Sequence, residues 1–337
     1  MLHLRLIVPT DRTPSVLDLL KGDAAVTHLV VLSDAAREPI GDVVLCDVAR
    51  EGASAVLEAL RDLRISEDGS ITVENVDLVL SRAGDTAERE SPGFGVDAVV
   101  WEEIERRVND EIELSATYLV FLTLATILSG IGVLLDQPIL IVGAMVLGPD
   151  FGPLAAFCVG VVQRRRSMAV RAAVALLVGF PVAMLVTLVA TWLLAAAGLV
   201  DRSMLLADRP ITDFIWRPDA LSWVVGFLAG IAGITSLTSA KSGALVGVLI
   251  SVTTVPAAAN VAVAIAFGVF DEARGSAVQL AVNLAAIVIG GVLTLLVQRA
   301  FWRRRSLRPK RTPKARRVAA RARRAARRRA ADDHDGT

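Results

Sequence analysis

The sequence contains little of what most enzymes use for chemistry. Among 337 residues there are two cysteines and three histidines. The histidines are His3, His28 and His334, and none lies in a long apolar segment. We find no metal-ligand spacing, no Gly-rich phosphate loop and no nucleophile–base set. The sequence therefore predicts a protein that is not an enzyme, with no cofactor and no metal.

The two cysteines do not form a disulfide framework. Cys46 falls in a predicted soluble strand and Cys158 in a predicted membrane span, so both are expected to be buried thiols. A cleavable signal peptide is also not expected, because the opening MLHLRLIVPT is too short and is followed at once by charge and a turn. We expect the first membrane span to direct insertion.

Composition indicates two kinds of domain in one chain. Hydrophobic residues make up 54% and the mean hydropathy is +0.56, too apolar for a soluble globule of this size. The net charge of +1 hides an asymmetry, because sixteen of the 36 lysines and arginines lie from Arg299 onward. The acidic residues lie mostly before residue 114. This distribution indicates a membrane protein with charged terminal regions.

The first segment, residues 1–81, alternates between strand and helix patterns. We predict the order β-α-β-β-α-β, which is ferredoxin-like, for a small α+β cytoplasmic domain. This domain either assembles or regulates the protein without a specific ligand, which we favour, or senses a ligand. The predicted elements are strand Leu2–Val8, helix Thr13–Leu20, strands Thr27–Leu32 and Asp42–Val48, helix Glu51–Leu63 and strand Ile71–Leu80.

Residues 82–113 are predicted to be a linker and an amphipathic connector helix. Ser81–Asp97 is rich in Gly, Pro and charge, which is typical of a linker. Val100, Ile104, Val108 and Ile112 then recur on one helical face. This stripe is expected to pack against the soluble domain or against copies of itself, with packing inside one subunit favoured.

Residues 114–299 are predicted to form an α-helical membrane domain with about six spans. The third span contains Pro181, so a kink or tilt is expected. Basic residues follow the second, fourth and sixth spans, which places those loops, and with them both termini, in the cytoplasm. The spans are Ser115–Leu135, Pro138–Val162, Met168–Leu199, Ala220–Leu237, Gly243–Phe270 and Ser276–Gln298.

Basic clusters are predicted to contact lipid headgroups beside the spans. The tail, residues 300–337, is dense in Arg and Ala and is expected to be disordered and to lie against anionic lipid in the cytoplasmic membrane. Nucleic-acid binding is disfavoured because no aromatic residues are interleaved beyond Phe301 and Trp302. The headgroup contacts are assigned to Arg164, Arg165, Arg166, Arg303, Arg304 and Arg305.

The second span carries the most informative stretch, ILIVGAMVLGPDFGPLAA at Ile139–Ala156. Glycine and proline interrupt it, and a carboxylate, Asp150, lies in the interruption. At membrane depth a broken helix is tolerated only where it is buried in protein or lines a wet cavity. An intramembrane carboxylate is by default a candidate for function.

A second interruption is predicted in the fifth span, SGALVGVLISVTTVPAAAN at Ser242–Asn260. The two spans share Val-Gly near the start and a proline about ten residues on. The spans that precede them are similar to each other at Ser129–Gly132 and Ala229–Ala232. Two groups of three spans form a 3+3 inverted repeat with broken helices, as in transporters. The candidate substrate or ion site is Gly148, Pro149, Asp150, Gly152, Pro153, Ser251, Thr253, Thr254, Pro256 and Asn260.

Two alternatives to this site stay open. The small residues of both spans also permit close helix packing with no transport at all. Asp150 can also lie near the cytoplasmic boundary, where water would solvate it.

The two motifs also resemble a known family. Ser115–Ala156 and Ser242–Asn260 are similar to the signature of the bacterial membrane family known as domain of unknown function 389. The resemblance covers about Leu114 to Gln298. It implies an integral membrane domain, often attached to a small cytoplasmic α/β domain, and brings no substrate, cofactor or active site.

The sequence thus favours a transporter or channel-like protein of a small solute or ion, with the soluble domain assembling or regulating it. The alternative is a membrane sensor or scaffold that does not transport, whose soluble domain binds an effector or partner. A homo-oligomer is expected, because the spans offer small-residue faces and the sheet has edges that can pair.

Overall fold

The computed structural model describes residues 1–76, 78–91, 101–239 and 253–306. These residues fall into two compact units. One begins at Met1 and contains the sheet, and the other spans Val96–Gln298.

The first unit has the predicted element order, with one additional short helix. Its four strands form one antiparallel sheet in the order β2-β3-β1-β4. The described elements are β1 Leu2–Val8, α1 Thr13–Gly22, β2 Val26–Arg37, β3 Ile40–Val48, α2 Arg50–Asp62, α3 Ile65–Asp68, β4 Ser70–Asn75 and α4 Arg82–Glu90.

The core of this unit follows from the period-two pattern of its central strands. Leu2, Leu4, Leu6 and Val8 are all buried on β1, and alternate residues of β3 are buried beside them, including Cys46. Apolar residues of α1 and α2 are buried as well. One face of the sheet is thus buried, as alternation predicts.

Three predicted boundaries in this unit are wrong. The second strand continues to Arg37 rather than ending at Leu32. The last strand ends at Asn75, which pairs with Leu2, rather than at Leu80. The predicted linker contains the helix α4. Ser81 caps that helix by accepting hydrogen bonds from the backbone N–H groups of Ala83 and Gly84, which satisfies donors that a helix start leaves free.

The second unit consists of helices. In our numbering they are α5 Trp101–Glu111, α6 Ala116–Leu134, α7 Pro138–Leu147, α8 Phe151–Val162, α9 Arg166–Ala196, α10 Arg202–Leu206, α11 Ala220–Thr238, α12 Thr254–Ala266 and α13 Phe270–Ser306, with a 3-10 turn at Asp213–Ile215.

Four of the described helices are long and apolar enough to cross a membrane, and five crossings result if the bent pair α7 and α8 is one span. Those four are α6, α9, α11 and α13. The predicted fifth span lies partly outside the described residues, and α12 is its described part. The predicted break at Gly148–Pro153 is narrower than expected, because Gly152 and Pro153 already belong to α8.

The sixth predicted span begins earlier than expected. The helix α13 starts at Phe270, so Asp271 and Glu272 lie in its first turn and not in a loop. Carboxylates in a first turn are stabilised by the positive end of the helix dipole. The predicted start of this span at Ser276 is therefore too late by about one and a half helical turns.

The connector helix α5 packs against α8 within the second unit. Its apolar stripe is buried there, with Ile104 and Val108 at most 3% exposed. The stripe therefore packs against a helix of its own unit, and self-association through it stays a prediction. An ion pair between Glu105 of α5 and Arg165, at 2.8 Å, adds to this contact.

Candidate functional site

The break between α7 and α8 consists of Gly148, Pro149 and Asp150. The two helices are bent by 50° across it. The N–H of Gly148 still bonds the carbonyl of Ala144, which ends α7, and Pro149 has no N–H with which to continue. The next helix, α8, then starts at Phe151.

The helix α12 starts in a comparable way. Pro256 is the third residue of α12, as Pro153 is the third residue of α8. A proline is tolerated there because the first-turn N–H groups of a helix have no intrahelical partner. The predicted correspondence between Pro153 and Pro256 in the repeat is therefore a correspondence between the starts of two helices.

The two helix starts meet. The hydroxyl of Thr254, the first residue of α12, donates a hydrogen bond to Oδ2 of Asp150. The backbone of Gly148 also lies close to the side chain of Val255 in α12, because a Cβ added to Gly148 would lie 2.8 Å from Cγ2 of Val255. Asp150 is 6% exposed and Thr254 is 2% exposed, so the pair is enclosed by protein.

The electrostatics of this meeting point favour a negative charge. Each helix start carries a partial positive charge from its free N–H groups. The side chain of Asp150 precedes α8 but makes no capping hydrogen bond to that helix. It is directed instead toward the start of α12, where it accepts the hydrogen bond from Thr254.

Gly148, Pro149, Gly152, Pro153 and Pro256 of the predicted site lie at these two helix starts, whereas the remaining three residues do not take part in the hydrogen bond. Ser251 is outside the described residues. Thr253 accepts a hydrogen bond from Nδ2 of Asn283, at 2.8 Å. Asn260 lies farther along α12, where its Nδ2 donates to Glu272 at 3.0 Å and to Ser276 at 2.8 Å.

The partners of Thr253 and Asn260 reveal a polar face on α13 that the sequence reasoning missed. Glu272, Ser276, Gln279 and Asn283 are spaced by four, three and four residues, so they share one face of the helix. All four are at most 5% exposed. This α13 polar face was visible in the sequence as polar residues at helical spacing in an apolar run.

One end of the α13 polar face holds a buried ion pair. Nη2 of Arg209, in the segment between α10 and the 3-10 turn, donates to Oε1 of Glu272. The side chains of both residues are at most 6% exposed. Arg209 was predicted to lie in a polar loop, but the structure buries it against α13. A buried charge is stable only when it is paired, which explains why this segment is held there.

The other end of the α13 polar face borders a groove of about 190 Å³. Gln279 and Asn283 of α13 line it together with Thr253, and within the described parts of the chain Oε1 of Gln279 is buried without a hydrogen-bond partner. The remaining lining residues are Phe214, Asp219, Leu221, Ser222, Val225 and Gly226.

The hydrogen bonds connect most of these side chains into two short chains. One joins Arg209, Glu272, Asn260 and Ser276, and the other joins Gln279, Asn283 and Thr253. Thr254, the neighbour of Thr253, then bonds Asp150. Within the described residues, no group of three or more His, Cys, Asp or Glu side chains is placed to hold a metal ion.

The basic residues predicted to contact lipid are exposed where their side chains are described. Arg164, Arg165 and Arg166 follow α8 at the surface of the second unit. Arg165 is occupied in part by its ion pair with Glu105. Lipid contact at these residues, and at Arg303, Arg304 and Arg305 near the end of α13, stays a prediction.

Apolar helices of membrane-crossing length, one of them bent at a buried carboxylate, define a multi-pass membrane protein. Residues 145–289 match the family model described as Domain of unknown function (DUF389), which is the family that the two motifs resemble. The segment contains Asp150, Thr254 and the whole α13 polar face.

The chain is also similar to a curated protein. An uncharacterised protein of Methanocaldococcus jannaschii is 23% identical over 280 residues, covering 78% of this chain and 83% of the relative. No solved structure matches the chain significantly. A bacterial origin stays a prediction.

Proposed function

We propose that the protein is a membrane transporter or channel-like protein for a small solute or ion. The observation that carries this proposal is the hydrogen bond between Thr254 and Asp150, which joins two helix starts inside the apolar unit. An ionisable group in such a place is costly, and membrane proteins retain it mainly on substrate, ion or proton pathways. Broken helices supply the free backbone groups that such a site needs.

The inverted repeat of six spans is part of this proposal. It is supported by matched contacts of two glycines, Gly130 of α6 and Gly230 of α11. A Cβ on Gly130 would lie 3.6 Å from Thr187 of α9, and a Cβ on Gly230 would lie 2.3 Å from the carbonyl oxygen of Ile287 of α13. In each half, the first helix thus contacts the third helix at the corresponding glycine. The contact is an ordinary van der Waals contact at Gly130, whose nearest neighbour is Val263 of α12, and a closer backbone contact at Gly230.

The cellular arrangement also follows from the proposal. Two groups of three crossings place the amino-terminal domain and the tail on the same side, and the basic loops put that side in the cytoplasm. The protein then lies in the cytoplasmic membrane, in contact with lipid. The soluble domain assembles or regulates the membrane domain, in a homo-oligomer.

Flux measurements with the purified full-length protein in proteoliposomes test the proposal. The probes are protons followed with a trapped pH dye, sodium and potassium followed with indicators, and radiolabelled amino acids. We expect at least one flux above that of protein-free vesicles, and we expect Asp150→Asn to reduce it about tenfold or more. Asp271→Asn removes an exposed carboxylate near the start of α13 and serves as the matched control.

The competing function is a sensor or scaffold that does not transport. The tight packing around the site favours it, because Tyr118, Leu122, Ala125 and Val255 form a buried apolar cluster next to Asp150 and Thr254. If wild-type vesicles carry none of the probes, or if Asp150→Asn leaves every flux unchanged, the transport proposal fails and this function is supported.

We also propose that the protein is not an enzyme. The arrangement that most resembles an active site is in the first unit, where Nε2 of His28 lies 2.7 Å from Oγ of Ser81 and Nδ1 lies 2.7 Å from Asp47. This distance pattern is that of a Ser-His-Asp triad. However, Oγ of Ser81 accepts hydrogen bonds from the N–H groups of Ala83 and Gly84 and caps α4. Those donors are directed at the serine itself, whereas an oxyanion hole directs them at a substrate.

A fluorophosphonate probe tests this second proposal, because it labels serines that are activated as nucleophiles. We expect no labelling of Ser81 in the purified protein. Labelling that disappears in both Ser81→Ala and His28→Gln, while the protein stays folded, would reveal hydrolase chemistry instead.

A further inference from the structure

The described lining of the groove beside α13 carries a net negative charge. Among its nine described residues, Asp219 is the one acid, and none is Lys, Arg or His. The hydroxyl and the backbone N–H of Ser222 donate hydrogen bonds to Asp219 and hold the pKa of its carboxyl below the usual value. The carboxylate is therefore ionised at neutral pH, and the groove favours a positive ligand.

The inner wall of the groove presents a free hydrogen-bond acceptor. Gln279 is 1% exposed, its Nε2 is directed to Asn283 at 3.5 Å, and its Oε1 has no partner among the residues that the structure describes. A buried polar atom without a partner destabilises the folded state. A ligand that donates to this oxygen, or coordinates through it, would recover that cost.

The size of the groove limits the ligand. A volume of about 190 Å³ is below the 300–1,000 Å³ that is usual for sites of drug-sized molecules. It suits a partly hydrated monovalent cation or a small organic ammonium ion.

We propose that this groove is a binding site for a small cation, lined by Asp219, Gln279, Asn283 and Thr253, which precedes the Asp150 site on the same pathway. The proposal rests on the proposed function for the pathway, but the binding step is independent of it. Thr253 lines the groove, and its neighbour Thr254 bonds Asp150. The start of α12 therefore connects the two sites.

Asn283 has a positioning role in this site. Its Nδ2 donates to Thr253 at 2.8 Å, and its Oδ1 accepts from Gln279. It thus fixes both side chains and leaves Oε1 of Gln279 free to face the ligand.

Cation-dependent thermal stability of the full-length protein in detergent tests the site. The probes are sodium chloride, potassium chloride and methylammonium chloride, each compared with N-methyl-D-glucamine chloride at equal ionic strength. A ligand that binds the folded state raises the unfolding midpoint. We expect at least one of the three small cations to raise the midpoint relative to the bulky cation.

The variants locate the effect. We expect Gln279→Leu and Asp219→Asn each to raise the half-saturating cation concentration about tenfold or more, which corresponds to a lost hydrogen bond to a charged group. Asp208→Asn makes the same charge change in the same segment away from the groove and should leave that concentration unchanged. Gln279→Glu keeps an acceptor and adds charge, so it should lower the concentration even if Gln279→Leu does not fold.

Three results would overturn the cation site. They are no midpoint change with any small cation, equal changes in the wild type and both groove variants, and a change that follows the anion when sulfate replaces chloride. The transport proposal is tested separately, because Asp150→Asn should reduce flux about tenfold or more while it leaves cation binding in the groove intact.

Discussion

The Thr254 hydroxyl donates a hydrogen bond to the Asp150 carboxylate across 104 positions of the chain. Each residue adjoins a helix start that has a proline at its third position. The contact therefore fixes two helix starts against each other and encloses a carboxylate between them. The stability of the membrane unit should depend on it.

Substitutions at Asp150 and Thr254 should have non-additive effects on the stability of the protein. Thr254→Val keeps the shape of the side chain but removes the donor, and we expect a loss of about 1–3 kcal/mol because a buried acceptor is left without a partner. Asp150→Asn should cost less in the Thr254→Val background than alone. Four of the five tryptophans lie in Val96–Gln298 and none lies before it, so tryptophan fluorescence during thermal unfolding reports mainly on this unit. Strictly additive midpoint changes would argue against the contact.

Close helix packing at Gly230 gives a second prediction. A Cβ there would lie 2.3 Å from the backbone oxygen of Ile287, so Gly230→Ala must push α11 and α13 apart. We expect a lower unfolding midpoint and about 1–3 kcal/mol of lost stability. Gly143→Ala is the matched control, because a Cβ at Gly143 meets nothing within 4 Å. A similar midpoint in both variants would contradict this packing.

The buried ion pair of Arg209 and Glu272 gives a third prediction. Removing one partner leaves a buried charge, so Arg209→Ala should cost about 3 kcal/mol or more. The double variant Arg209→Met with Glu272→Met should regain much of that loss, since it removes both charges. Arg217→Ala is the control, because its pair with Asp213 is exposed and contributes about 1 kcal/mol or less. The thermal midpoint distinguishes these variants, and equal losses at Arg209 and Arg217 would exclude a special role for the buried pair.

Cys46 gives a prediction for the first unit. Burial, with a smaller contribution from the Asp47 charge, raises the pKa of the Cys46 thiol to about 12. The thiolate is the reactive form, so at pH 9 about one thiol in a thousand is ready to react. Maleimide labelling followed by peptide mass spectrometry should be slow at Cys46 in the folded protein and should accelerate in denaturant. Rapid labelling at pH 7 without denaturant would show that the sheet opens readily.

The sequence predicted local structure well where a local rule applies. The strand alternation of Leu2–Val8 and the Gly148–Pro149 break each depend on residues adjacent in the chain, so short-range patterns are sufficient. Prediction from the sequence was wrong where pairing with another strand determines the end of an element. The strand β4 stops at Asn75, where its pairing with Leu2 of β1 ends, and no pattern within β4 itself contains that information.

The α13 polar face shows the same division within the candidate site. Its spacing is present in the sequence, yet Glu272 was assigned to a loop and Gln279 and Asn283 to an ordinary span. Their importance depends on Thr253, Asn260 and Arg209, which approach from other helices and segments. A pattern along one helix cannot reveal which partners it meets.

By itself, the sequence determined that the chain enters a membrane, that a small sheet precedes its apolar helices, and that one span breaks at Gly148–Asp150. Hydropathy, side-chain period and the missing N–H of proline are local properties, so they are encoded directly. Only the tertiary structure decided that Asp150 meets Thr254 and that Arg209 meets Glu272. These contacts join residues more than sixty positions apart. A buried charge is costly in free energy unless it is paired, so the partner that folding brings to each charge determines whether burial is tolerated.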